Sequence, residues 1–202
     1  MKQETINILA SYVDSLHPII YINHFDYKVV DEIICDVREN ANCIEFNNAF
    51  GIVNFETKSP VFECDLEKFL SLNIDAGFEH ETFFILKDVH EQLRNPRVIS
   101  LLRRIAEDNM YQEDYSATVF IVSPILVIPR ELENYVTIYD FPLPDTKEIE
   151  TQILDFANDV DIKIGPDTVD VLALSLKGLN EFHLFSSMGH PSHLRQCFLT
   201  RS

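Results

Sequence analysis

A parallel β-sheet sandwiched by helices is the architecture this sequence predicts, and three observations lead there. Residues 82–87 (TFFILK) and residues 117–122 (ATVFIV) are continuous apolar runs, aromatic and β-branched in make-up. Runs of that length and composition suit strands buried on both faces of a parallel sheet. Segments with apolar residues at helical spacing lie around them, so strand and helix alternate over residues 5–140. The polar residues that close the two runs, Asp88 and Ser123, then fall at the C-terminal edge of the sheet, where open α/β folds bind ligands.

Taken in order, Ile6, Leu9, Val13 and Leu16 predict a helix over residues 5–16. His17-Pro18 stops it, because the residue before a proline avoids the α region. Residues 18–23 read as a buried strand, and residues 25–40 as a helix with an apolar stripe of Val29, Val30, Ile33, Ile34 and Val37. Residues 43–46 are a second strand, linked by a turn-rich stretch to a short hairpin partner at 52–55. Lys58-Ser59-Pro60 breaks the pattern. Asp65 caps a short helix carrying Leu66, Phe69, Leu70 and Leu72, and a loop is expected from Asp75. Residues 89–93 read as a loop after Asp88. Asn95-Pro96 has the layout of an N-cap and first helical position. Val98, Leu101, Leu102 and Ile105 form one face of the helix that follows, with Arg97, Arg103 and Arg104 largely off it, as on a solvated face. Residues 130–134 are a polar turn and 135–139 a last strand. Asp145 followed three residues on by Glu148 is a capping box. The helix it opens runs to about Asn158, with Ile149, Ile153, Leu154 and Phe156 inward. Gly165-Pro166-Asp167 starts another, built on Val169, Leu172, Ala173 and Leu176 and ending at Gly178, and Asn180 is placed as a further cap.

With 202 residues, 46% of them hydrophobic, the chain can bury a sizeable core. No apolar run reaches the length of a membrane span, and residues 1–5 do not look like a secretory leader. Cys35, Cys43, Cys64 and Cys197 have no paired spacing, which fits reduced thiols. The expectation is a soluble cytoplasmic protein. A net charge of −17 argues against nucleic acid as the main partner.

The link between the first strand and its helix is informative for what it lacks. A phosphate-gripping loop needs glycines for close backbone approach and a lysine for charge. Residues 23–27 (NHFDY) have neither, and Asp26 repels phosphate. His24 reads as a solvent-facing loop histidine. Asp88 keeps two readings: a magnesium-holding carboxylate of a nucleotide hydrolase, or a residue that caps a helix or bonds a loop.

Residues 84–88 (FILKD) resemble the Walker B strand of an AAA+ ATPase. Residues 118–123 are similar to its sensor 1 strand, with Ser123 at the polar sensor position. Residues 136–145 (VTIYDFPLPD) resemble the last core strand and the step into a helical lid, and are the most specific part of the likeness. Residues 178–182 are similar to the start of a lid helix near sensor 2, and residues 17–22 to the first core strand. The chain thus resembles the degenerate, inactive N-terminal domain of the cyanobacterial and plastid AAA+ ATPase family. That resemblance implies an α/β fold with a five-stranded parallel P-loop-like sheet and a truncated C-terminal helical lid. The implied division is a core at 1–144 lacking a phosphate loop, a partial lid at 145–182 and an atypical tail at 183–202.

The departures from the family's pattern shape the functional expectation. The glycines, lysine and Ser/Thr of the phosphate loop are missing from 23–27. Val89 follows Asp88 where active members carry the catalytic Glu, and Glu91, two residues further on, does not take that role. The paired intersubunit arginines are missing too, with Arg130 alone in the shortened connection. Phosphoryl transfer depends on positioning and charge stabilisation, so self-contained hydrolysis is not expected. No catalytic residue and no metal ligand is assigned, and Asp88 and Ser123 are vestigial cofactor-site residues. The expected role is a protein-interaction or regulatory module, a fragment of or partner to an active AAA+ ATPase, with no cofactor. The alternative is an ATPase subunit that binds ATP and magnesium weakly and hydrolyses only in a composite oligomer. Residues 183–202 hold His183, His190, His193, Arg195 and Arg201 and no Asp or Glu. His190, His193 and Cys197 are ligands by type, but no fourth ligand has a convincing spacing, so no metal is assigned. Leu184, Phe185, Leu194, Phe198 and Leu199 could cover the unfinished lid within the chain, giving a monomer, or swap onto a neighbour as a symmetric dimer, so association through the lid or tail end is the expectation and a monomer the alternative.

Overall fold

The computed structural model describes residues 2–37, 40–76, 81–112 and 116–179, which fall into two compact units, one ending at Phe141 and the other beginning at Pro142. The first opens with α1 (Lys2–Asp14), β1 (Ile19–Asn23), α2 (Tyr27–Val37) and β2 (Asn42–Asn47). It continues through β3 (Gly51–Val53), β4 (Pro60–Phe62), α3 (Leu66–Ala76), β5 (Thr82–Lys87), α4 (Pro96–Tyr111), β6 (Ala117–Val122) and β7 (Val136–Asp140). Single 3-10 turns lie at Gln92–Arg94 and Arg130–Leu132.

The sheet has seven strands in the order β4-β3-β2-β5-β6-β1-β7. Neighbours from β2 to β7 run parallel, while β3 and β4 add antiparallel at one side. The fold is α/β with a mostly parallel, mixed sheet, so the five-stranded parallel expectation is corrected to seven strands, the expected hairpin partner at 52–55 appearing as β3. The strand missed is β4. It begins on a proline and all three residues are exposed, so it carries no burial pattern. What holds it is backbone proximity. Gly51 has φ +73°, and a Cβ there would lie 2.5 Å from the Phe62 carbonyl oxygen and 2.7 Å from the Cys64 nitrogen.

Both central strands, β5 and β6, are buried along their whole length. Alternate residues feed two cores. Phe83, Ile85, Phe120 and Val122 face α1 and α2, where Leu9, Val30, Ile33 and Ile34 pack on them. Phe84, Leu86, Val119 and Ile121 face α3 and α4, against Phe69, Leu70, Leu102 and Ile105. Each such fully buried side chain stabilises the fold by roughly 1.5–3 kcal/mol relative to leaving it in water. Asn95 caps α4 as expected, its Oδ1 accepting from Arg97 N at 2.9 Å. Asp65 Oδ1 accepts from Lys68 N at 2.7 Å at the start of α3. The loop expected from Asp75 is instead the last turn of α3. The off-face arginines of α3's neighbour α4 meet acids: Arg97 with Glu67, Arg103 with Glu107 and Arg104 with Asp108. The 3-10 turn at Gln92–Arg94 replaces the plain loop expected before α4.

The second unit contains α5 (Thr146–Asp159) and α6 (Pro166–Leu176). Asp145 and Glu148 form the capping box. Ile149, Ile153, Val169 and Ala173 are its buried core, with Phe156, Leu172 and Leu176 against them. Leu154, expected inward, is exposed, because it lies about 140° round α5 from Ile149 (five residues at about 100° each). The cap expected at Asn180 and the whole stretch 183–202 lie outside the described residues. Cys35, Cys43 and Cys64 are free thiols, burial pushing Cys43 up to about 11. No helix among the described residues is long and apolar enough to cross a membrane.

Candidate functional site at the C-terminal edge of the sheet

Parallel register brings the C-terminal ends of five strands to one edge. Asn47 pairs with Lys87, Lys87 with Val122, Ile22 with Val122, and Asn23 with Asp140. Asn47, Asp88, Ser123, Asn23 and Asp140 therefore stand along one polar rim, so Asp88 and Ser123 do end neighbouring strands. The two do not share a hydrogen bond. Ser123 is fully buried, and its Oγ accepts from Ile125 N at 3.1 Å, closing a local turn. Tyr21 donates to the Ile125 carbonyl at 2.6 Å and fixes the same turn from below.

Asp88 is half-buried and in the left-handed region, with φ 57°. Both its carboxylate oxygens are engaged: Oδ1 by the Tyr27 hydroxyl, Oδ2 by Asn47 Nδ2 at 3.3 Å. Burial, and then the bond to Asp88 and its charge, push the Tyr27 phenol well above its ordinary value. At the other rim Asn23 Nδ2 donates to Asp140 Oδ1 at 2.7 Å.

Residues 23–27 form a tight link in which helix α2 is capped by its own neighbour. Asp26 Oδ1 accepts from Lys28 N at 3.1 Å and Val29 N at 3.3 Å, and its carbonyl accepts from Val30 N. A carboxylate thus occupies the place at a helix N-terminus where free N–H groups would receive an anion. His24 is not solvent-facing as expected. Its ring stacks on Phe141 with centroids 4.4 Å apart, and burial lowers its pKa, Asp26 pulling the other way.

Behind the rim lies a cluster the sequence reading missed. Lys87 Nζ lies 2.7 Å from Asp31 Oδ2 and 3.1 Å from Glu45 Oε1. Lys58 Nζ lies 2.8 Å and 2.6 Å from oxygens of the same two residues. Two cations and two anions alternate, with Lys87 and Glu45 almost wholly buried. Lys58 also sits over the Phe55 ring. Burial pulls the Lys58 pKa down, and its bonds to Asp31 and Glu45 more than offset that, leaving it raised. The available signal was a lysine and a glutamate at inward-facing strand positions, 87 and 45, which only a partner can make tolerable. Among the described residues no group of three or more His, Cys, Asp or Glu is placed to hold a metal ion.

Residues 2–141 match the family described as "SpoVK-like AAA ATPase, N-terminal domain". An "Uncharacterized AAA domain-containing protein ycf46" of Trieres chinensis is 26% identical over 173 residues, 81% of this chain and 33% of that protein. Its namesake from Guillardia theta is 26% identical over 174 residues, 81% of this chain and 32% of that protein. The chain spans about a third of the length of these curated relatives. Among solved structures, an E. coli MS115-1 HORMA:CdnC:Trip13 complex aligns with a TM-score of 0.56 at 10% identity, covering 85% of this chain and 72% of that one. A Thermotoga maritima RuvB mutant gives 0.52 at 13%, covering 85% and 56%. The replication initiator DnaA bound to AMPPCP and single-stranded DNA gives 0.51 at 11%, covering 92% and 58%. At these identities the likeness is one of fold.

Proposed function

The chain belongs to the SpoVK-like AAA ATPase N-terminal domain family, and from that premise we propose that it keeps the AAA+ P-loop NTPase fold without a grip on nucleotide. Its work is protein binding or regulation, as a partner to, or part of, an active AAA+ ATPase. The observation that carries this reading is the Asp26 carboxylate on the N-terminal N–H groups of α2. A triphosphate brought there meets a fixed negative charge and donors already in use, with no glycine or lysine in residues 23–27 to compensate. Tyr27 and Asn47 on the two oxygens of Asp88 support it further, since a magnesium ion would have to displace them. ATP with magnesium does not fit these residues, whose donors and carboxylates already bond one another.

Calorimetry of the chain with Mg-ATP, at tens of micromolar (on the order of physiological KM values), is expected to give no saturable heat. A micromolar Kd overturns the reading. The second reading, weak ATP binding with hydrolysis only in a composite oligomer, is favoured by the place of Asp88 and Ser123 at neighbouring strand ends. Mixing the chain with an active AAA+ ATPase separates the two. In the proposed reading the mixture's ATPase rate shifts equally with wild type, Asp88→Asn or Ser123→Ala. In the second reading these substitutions remove the added activity.

A further inference from the structure

Cys35 and Cys43 show no pairing in the sequence, yet the fold sets them opposite each other. β1 and β2 run the same way in the sheet, linked through the parallel pairs β1–β6, β5–β6 and β2–β5. α2 is the crossover between them, so it runs antiparallel to β2. The charge cluster behind the rim fixes the register of helix on strand. Lys58 Nζ lies 2.8 Å from Asp31 Oδ2 and 2.6 Å from Glu45 Oε2, so residue 31 of α2 stands opposite residue 45 of β2. Cys35 comes one turn after Asp31, on the same side of the helix and about 6 Å along its axis. Cys43 comes two residues before Glu45, on the same face of the strand and about 6.6 Å along it. Helix and strand run in opposite senses, so both steps go the same way. Cys35 therefore meets Cys43 one level below the cluster.

The surroundings of the two thiols agree with that register. Cys43 packs on the core that contains Ile33, Ile34 and Val37 of α2. Burial first, and then the neighbouring Cys35, push the Cys43 thiol up to about 11. Asp31 and Lys58 act on both thiols. Cys64 packs against the core on the other face of the sheet, with α3 and α4, and is no rival partner. Cys35 is exposed and Cys43 half-buried, so one thiol is open to a reagent and the other is held behind it.

We propose that Cys35 and Cys43 are a redox pair that closes to an intrachain disulfide by exchange with a low-molecular-weight disulfide. The Cys35 thiolate attacks one sulfur of the small disulfide, breaks its S–S bond and releases one thiolate. The Cys43 thiolate then attacks the Cys35 sulfur of the mixed disulfide and releases the second. The protein gives up two electrons and two protons, and the small disulfide leaves as two thiols. Both protein thiols sit above their ordinary value, so the exchange is slow at neutral pH. The bridge ties the C-terminal half of α2 to the start of β2 and so restrains the helix that begins at Tyr27. The proposal is independent of whether the first unit binds nucleotide.

The test uses the full chain with Cys64→Ser and Cys197→Ser, which leaves only the two thiols in question. It is equilibrated for a long period with equal concentrations of reduced and oxidised glutathione, and free thiols are then trapped with N-ethylmaleimide. Intact mass is expected to show the loss of two hydrogens and no trapped thiol, unchanged across a hundredfold dilution. A non-reducing digest should join the peptides of residues 35 and 43. The thermal midpoint should rise on oxidation and return with dithiothreitol, and Cys35→Ser or Cys43→Ser should remove the rise. If the background variant misfolds, the same trapping and digest on the wild-type chain read the pairing directly. Thiols that stay free, or that stop as glutathione adducts, overturn the proposal. A link to Cys64 or Cys197, or a disulfide found only between two chains, overturns it equally.

Discussion

Asp88 shows how a carboxylate at the C-terminal end of a buried strand can be taken up wholly by its neighbours. Its backbone is left-handed, a conformation Asp and Asn tolerate better than most residues. Its carboxylate ties α2 to the end of β2 through Tyr27 and Asn47. Asp88→Asn keeps the backbone preference and one acceptor, so the expected loss is about 0–2 kcal/mol, read by urea denaturation, with partner binding unchanged. A loss far above that range, or magnesium-dependent stability in the wild type, would count against a structural role. Tyr27 carries a pH signature. Its folded pKa lies above the ordinary 10.0, through burial first and Asp88 second. A proton held more tightly in the folded state gives a contribution fully present below the unfolded value and lost as pH rises through the folded one. Stability should therefore fall above about pH 10 and Tyr27→Phe should lack that part of the fall. Superimposable alkaline profiles would refute the assignment. Tyr21 and Tyr139, also raised by burial, are common to both proteins and cancel in the difference.

At the scale of elements, the Lys58–Asp31–Lys87–Glu45 cluster joins the β3–β4 loop, α2, β5 and β2 behind the rim. Asp31 Oδ1 has no hydrogen-bond partner, so the cluster is not fully compensated even when intact. Taking charges out of water costs several kcal/mol per ion, and the pairing returns that only while every member is present. Lys87→Met leaves two carboxylates sharing Lys58, which is itself 41% exposed. The expected cost is about 3–5 kcal/mol, a large fraction of the roughly 5–15 kcal/mol stability of an ordinary domain. Adding Glu45→Leu should recover part of it. If the double variant is no more stable than Lys87→Met alone, the cluster is not a coupled unit.

At the scale of the whole molecule, the described residues of the two units form apolar clusters of very different size. The first has two clusters flanking β5 and β6, and the second has Ile149, Ile153, Val169 and Ala173 at its centre. Local opening follows the amount of buried apolar contact. Amide exchange in α5 and α6 should run ahead of exchange in β1, β5 and β6 by orders of magnitude, as hydrogen exchange read by mass spectrometry would resolve. Equal protection in the two units would mean that they unfold as one.

The sequence alone determined what rests on local pattern. The buried strands at 82–87 and 117–122, the Asn95 and Asp65 caps, the capping box at Asp145 and Glu148, and the resemblance to an AAA ATPase N-terminal domain were all legible. Periodicity and capping chemistry act over a few residues, so a short window contains their cause. Only the tertiary structure decided the rest. β4 exists because Gly51 lets the Phe62 carbonyl approach, a contact between residues eleven apart with no pattern in either segment. His24 stacks on Phe141, and Lys87 meets Asp31, Glu45 and Lys58, because the fold brings distant segments together. The carboxylate of Asp88 is engaged because α2 places Tyr27 over it, 61 residues away in sequence. Residue type names what a side chain could bond, and the parallel register of the strands chooses which partner arrives first.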